Sequence, residues 1–269
     1  MQATRWRVAQ ASVIGTFHQI SGLPCQDSSD HRIVEVGDQS YLIAVVSDGA
    51  GSAPYSDQGS SYACDAMIGL VHKFICAGSN LGQLTREVAV GWVSEVAEGV
   101  KKLAGESGRS GREYDCTLLV AVVAREQAVF FQVGDGAIVT THSDGEGWMW
   151  VFWPQHGEFV NSTNFVVSSD IKEILDFEPE NHPIPEIALL TDGLENLVLQ
   201  HGERLVHEPF FNSMMPWVRN SPANGRDDKL CEALKRYLLG PKICERTDDD
   251  KTLLLASRWE EAVFTKLVS

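Results

Sequence analysis

The chain has 269 residues, 43% hydrophobic and 22% charged, which is enough apolar material for a full core and excludes general disorder. Its 37 acidic side chains against 22 basic ones leave a formal charge of -15, a field that repels phosphate backbones and anionic lipid headgroups. Nucleic acid and membranes are therefore not expected partners, and cations are.

The longest apolar runs, 41–46 and 116–124, fall short of the roughly 20 residues that cross a bilayer. Arg5, Arg7 and Gln10 interrupt the opening stretch, against a secretory signal, and the expected location is the cytoplasm. Six cysteines are scattered with no CxxC pair, which argues against both zinc and disulfides.

In chain order, short β-branched and apolar runs at 5–14 and 41–47 predict strands. A helix follows, capped by Ser56 or Asp57, and a second is expected over about 81–103, with an exposed loop at 104–112. From Asp115 the texture returns to strands: CTLLVAVVA, AVFFQVG, AIVTTH and WMWVFW predict an antiparallel meander. The polar and aromatic segment 154–183 reads as a flap-like insertion over the sheet, before a strand at 187–191, a helix near 227–239 and a last strand at 252–256. One domain spanning 1–269 accommodates this α+β pattern, in which long helices cover mostly antiparallel sheet. A doubly wound parallel fold is disfavoured because residues 115–153 leave no room for crossover helices.

One pattern occurs three times: an apolar strand, a small or polar residue, then Asp-Gly. It places Asp48-Gly49, Asp135-Gly136 and Asp192-Gly193 at strand ends. A carboxylate at the end of a buried strand is costly unless it meets a cation or donors, so three converging strands point to a metal site. Asp248, Asp249 and Asp250 precede the last strand, and in an antiparallel neighbour they reach the same sheet edge. Asp27, in the loop after the first strand, is a fifth candidate. All-oxygen ligation by these groups, with the Gly49 carbonyl, suits Mg²⁺ or Mn²⁺. A lone Asp-Gly is more often a hairpin turn, the reading for Asp144-Gly145 among polar neighbours. The GAGS at 49–52 lacks the Lys of a phosphate loop, and no GxSxG elbow or Cys-His nucleophile signature is present.

The ordered motifs resemble the metal-dependent protein phosphatases of the 2C type. Gln26-Asp27 is similar to that family's early Glu-Asp, VVSDGAGS at 45–52 to its Asp-Gly-x-Gly, and Asp115-Cys116-Thr117 to its Gly-Ser/Cys-Thr. Val133-Gly134-Asp135-Gly136 resembles its Gly-Asp-Ser, LLTDGLENL at 189–197 its Ser-Asp-Gly-Leu, and Asp249-Asp250-Lys251-Thr252 its Asp-Asn-x-Thr. Cys25-Gln26-Asp27 and the stretch 157–163 resemble a bacterial branch often found near partner kinases.

The resemblance implies a four-layer αββα sandwich, two packed five-stranded antiparallel sheets flanked by helices. It also implies two or three Mn²⁺ or Mg²⁺ ions: Asp48 bridging two, the Gly49 carbonyl on one, Asp192 and Asp249 on the other, Asp135 with Asp192 on a third, and Asp27 holding water or touching metal. The activity it implies is hydrolysis of phosphoserine or phosphothreonine in proteins by a metal-bridging water, opposing a bacterial kinase.

Three departures stand out. Gln26 replaces a Glu, Ala50 occupies the place of a His proposed as general acid in eukaryotic relatives, and the arginine that anchors phosphate is missing. His18 lies nearest its place and is the expected substitute donor to phosphate. The competing expectations are a phosphatase-like module that binds a phosphoprotein or regulates a kinase without turnover, and a metal hydrolase of small phosphate esters.

Overall fold

The computed structural model describes residues 4–155, 163–167 and 170–260. The first half runs β1 (Thr4–Val13), α1 (Thr16–Ser21), β2 (Ser28–Val36), β3 (Gln39–Ser47), α2 (Ser56–Cys76), α3 (Arg86–Glu106), β4 (Leu118–Val123), β5 (Ala128–Val133), β6 (Ala137–Thr141) and β7 (Trp148–Trp150). The second half adds α4 (Ile171–Ile174), β8 (Asp176–Glu180), β9 (Glu186–Leu190), α5 (Glu195–Val198), β10 (Leu199–Gln200), β11 (Leu205–Val206), α6 (Glu208–Arg219), β12 (Gly225–Arg226), α7 (Asp228–Leu238), α8 (Pro241–Cys244) and β13 (Lys251–Glu260).

The large strands form a six-stranded sheet, β12-β1-β13-β9-β6-β7, and a five-stranded sheet, β2-β3-β4-β5-β8. The β1–β12 pair is parallel and the other pairs of these two sheets are antiparallel. Strands buried on both faces explain the continuous apolar runs. Leu42, Ala44 and Val46 of β3 pack between the sheets, while Ile43 and Val45 face α2 and α3. In β13, Leu254 and Ala256 point between the sheets and Leu253 and Leu255 face α6 and α7. The period-two alternation thus feeds three apolar layers, and the four-layer α+β sandwich follows. Among the described residues no helix is long and apolar enough to cross a membrane.

Several expectations are corrected. The strands from 116 to 153 are not one meander: β4–β5 belongs to one sheet and β6–β7 to the other. The chain changes sheets at Gly134-Asp135-Gly136, where Gly134 has φ 114° and a Cβ on it would lie 2.5 Å from Thr117 Cγ2. A side chain there is excluded by both the backbone angle and the space.

The insertion expected over 154–183 contains a sheet strand, because β8 pairs with β5 from Gln132↔Asp176 to Ala128↔Glu180. Its sequence DFEPE carries no apolar alternation, and Pro179 is tolerated because β8 is an edge strand. The first long helix has Tyr55 at its N-cap with no side-chain cap, since Ser56 Oγ instead donates to the Ala53 carbonyl.

Candidate metal centre

The register of the strands brings distant carboxylates to one rim. Leu253 of β13 pairs with Leu190 of β9, the Thr252 N–H donates to Thr191 Oγ1 at 3.0 Å, and the residues just beyond, Asp192 and Asp249–Asp250, become neighbours. A Cβ on Gly193 would stand 1.9 Å from the Asp250 carbonyl oxygen, so this approach requires glycine. In the other sheet, Asp48 follows β3 and its N–H donates to Thr117 Oγ1 at 2.9 Å. Gly49 bridges to Cys116 and lies against Gln26, where a Cβ would meet the Gln26 carbonyl oxygen at 2.5 Å. Asp27 spans the two sheets, with its Oδ2 accepting the Thr191 hydroxyl at 2.8 Å.

Crowding these acids shapes their chemistry. Burial pushes the Asp48 carboxyl well above its ordinary range, and the neighbouring charges of Asp27, Asp192 and Asp249 push it further. Asp192 is raised to about 6 by burial and by Asp135 and Asp249, although a hydrogen bond with Asp48 holds it down. Asp27 is raised to about 8, chiefly by burial, against the opposing pull of the Thr191 hydroxyl. Asp249 is also raised by burial and by Asp250 and Asp248, with His18 opposing. Each of these carboxyls is destabilised in its charged form by the others, the condition that a bound divalent cation would reverse.

Asp135 lies beside this group: it raises Asp192 and accepts a hydrogen bond from the Thr163 hydroxyl. The rest of the 157–163 motif lies outside the described residues. Gln26 is buried, with Nε2 donating to the Ala53 carbonyl at 3.2 Å and Oε1 lacking a hydrogen-bond partner. Ala50 is buried, and its N–H donates to the Asp115 carbonyl at 2.9 Å.

His18, expected to reach phosphate, sits beneath the rim: it is 4% exposed and its Nδ1 stands 2.9 Å from Asp250 Oδ2. Its polar neighbour is thus the buried Asp250 carboxylate. Two residues went unread in the sequence. Glu195 is raised to about 7 by burial, Asp192 and Asp135, and its only signal was its place one turn after Asp192. Arg246, together with Asp192, Glu195, Asn196, Asp248 and Asp249, lines a cavity of about 280 Å³. A larger cavity of about 570 Å³ between α6 and α7 is lined by apolar and aromatic side chains with Ser213, and no carboxylate is among its lining residues.

A family model described as protein phosphatase 2C matches residues 14–236. The chain belongs to the protein phosphatase 2C family. A curated relative, serine/threonine-protein phosphatase 3 of Escherichia coli (strain K12), is 32% identical over 259 residues, covering 95% of this chain and 99% of the relative.

Solved structures share the protein phosphatase 2C fold at lower identity. The serine/threonine phosphatase Stp1 from Staphylococcus aureus matches with TM-score 0.62 and 13% identity over 96% of this chain and 95% of its own. The catalytic domain of the phosphatase PstP, in complex with two manganese ions, matches with TM-score 0.60 and 14% identity over 95% of this chain and 99% of its own.

The donors of this protein phosphatase 2C centre fit a hard divalent ion. They are all oxygens, and Asp27 Oδ1 is buried without a hydrogen-bond partner. Among the described residues no three His, Cys, Asp or Glu side chains converge tightly enough to hold an ion by themselves. Mg²⁺ and Mn²⁺ tolerate this, since such ions keep several waters and take only one or two carboxylates each, with substrate phosphate completing the set.

Proposed function

We propose that the chain hydrolyses phosphoserine and phosphothreonine in proteins with Mn²⁺ or Mg²⁺ as cofactor, opposing a serine/threonine kinase. The observation that carries this reading is the convergence of Asp48, Asp192 and Asp249 at the shared end of β3, β9 and β13, close enough to raise one another's affinity for protons. The name of the Escherichia coli relative supports the substrate class. Asp48 would serve two ions, with the Gly49 carbonyl, Asp192 and Asp249 completing them, and Asp135 with Asp192 serving a further one. When bound, such ions polarise the phosphoryl group and ease deprotonation of water.

The chain's own residues do the orienting. The Thr191 hydroxyl fixes Asp27 Oδ2 and leaves Oδ1 for water or a cation. The Asp250 N–H fixes Asp249 Oδ1 at 2.8 Å. Among the described residues Arg246 is the one basic side chain along the cavity beside Asp192 and Asp249, and its guanidinium suits a phosphate oxygen pair.

The test is phosphate release from a phosphothreonine peptide and from para-nitrophenyl phosphate. Turnover is expected with Mn²⁺ and is expected to vanish with EDTA and in Asp48→Asn and Asp192→Asn. Turnover that survives chelation and both substitutions sinks the proposal. The Gln26 amide, in the place of a charged carboxylate, favours a second reading, a phosphoprotein-binding module. Bound Mn²⁺ and bound phosphopeptide without any release would select it.

A further inference from the structure

We propose that His18 and Asp250 act as a positioning pair that sets the spacing of Asp27 and Asp249 and thereby the affinity of the centre for divalent ions; this rests on the metal centre proposed above. Asp250 is 3% exposed, and its carboxylate ties its own turn to the N-terminal stretch 15–26, more than 220 residues away. Oδ1 accepts the Gly15 N–H at 2.6 Å, while Oδ2 accepts the Gln26 N–H at 2.5 Å and contacts His18 Nδ1 at 2.9 Å. The His18 contact is a close approach of the ring nitrogen rather than an aligned hydrogen bond.

The segment carrying His18 is wrapped closely around the turn that carries Asp249. The Phe17 N–H donates to the Asp248 carbonyl at 2.9 Å, and a Cβ on Gly15 would lie 2.3 Å from the Asp248 carbonyl oxygen.

Both neighbours of this tie are candidate ligands. Gln26 precedes Asp27, so the hydrogen bond to the Gln26 N–H fixes where Asp27 enters the centre. On the other side, the Asp250 N–H holds Asp249 Oδ1 at 2.8 Å and so fixes how the Asp249 carboxylate faces the centre. A buried carboxylate beside those of Asp27 and Asp249 is costly without donors. The Gly15 and Gln26 N–H groups supply them, the Cys25 thiol adds a side-chain hydrogen bond, and the His18 ring nitrogen stands against Oδ2 at 2.9 Å. Groups that orient ligands from behind typically change metal affinity by roughly 10- to 100-fold when removed.

The experiment is calorimetric titration of Mn²⁺ into the full chain without substrate, for wild type, His18→Ala, His18→Asn and Asp250→Ala, with kinetics at saturating Mn²⁺. Expected for His18→Ala is a rise of roughly tenfold or more in the Mn²⁺ dissociation constant, with the substrate KM within about twofold of wild type. His18→Asn, whose amide can donate to Asp250, is expected to recover most of the affinity. In Asp250→Ala, a further His18→Ala is expected to change Mn²⁺ affinity little.

Unchanged Mn²⁺ affinity in His18→Ala, or a raised substrate KM with normal Mn²⁺ affinity, overturns the pair while leaving the metal centre standing. Wild type that binds no Mn²⁺ overturns the centre itself, and the pair with it. A fold that fails in His18→Ala and is not restored in His18→Asn also overturns it, because the role is then the stability of the turn rather than the spacing of ligands.

Discussion

Replacing Asp27 with Asn in the metal-free protein should raise stability at neutral and alkaline pH. Folding lifts this carboxyl from the ordinary 3.8 to about 8, so the folded chain holds a proton that the unfolded chain releases across that window. Stability from this group is therefore intact below the unfolded value, falls as pH rises, and levels off above the folded value. At 1.36 kcal/mol per unit, the loss is about 4 kcal/mol at pH 7 and about 6 kcal/mol above pH 8. These are upper figures for one residue, because Asp27, Asp48 and Asp192 titrate as a set.

Asn copies the protonated carboxyl: one oxygen still accepts the Thr191 hydroxyl, and the amide group occupies the place of the unpartnered Oδ1. The assay is urea unfolding in EDTA at pH 5, 7 and 9. Wild type should lose stability steeply over that range, and Asp27→Asn should flatten the curve by at least about 2 kcal/mol between pH 5 and 9. Parallel curves for the two proteins would refute the claim that acid crowding strains the metal-free centre.

Three further outcomes follow from the same geometry. Mn²⁺ should raise the Tm more at pH 7.5 than at pH 5, because Asp27 and Asp192, raised to about 8 and about 6, must shed protons to bind it; equal shifts at both pH values would contradict this. Gly193→Ala, whose Cβ meets the Asp250 carbonyl oxygen at 1.9 Å, should cost about 2 kcal/mol or more in urea unfolding and abolish phosphatase activity. Gly51→Ala, with nothing within 4 Å of its Cβ, should leave both unchanged.

Much of the rim was legible in one dimension. Asp48, Asp135 and Asp192 each follow an apolar strand buried on both faces, and such a strand announces itself by composition without any knowledge of its partners. The antiparallel return that carries Asp249 to the end of β9 followed from the reversed order of acid and strand.

What the sequence could not say depends on contacts across long chain separations. Within Asp248, Asp249 and Asp250 nothing local distinguishes a ligand from a tie; the distinction arises because Asp250 meets N–H groups 235 and 224 residues away. The same holds for His18, whose partner is this distant carboxylate, and for β8, whose polar sequence becomes a strand only because β5 offers it an edge. The sheet switch after β5 required knowing that Gly134 and Gly136 pack against Thr117 and Leu190, a matter of space between elements and not of residue type. Residue pattern alone thus determined which strands carry acid at their ends, because burial imprints a period on the chain. Tertiary packing decided which acids gather at one rim and which is tied to distant backbone N–H groups, because that choice rests on hydrogen bonds closed over the whole length of the fold.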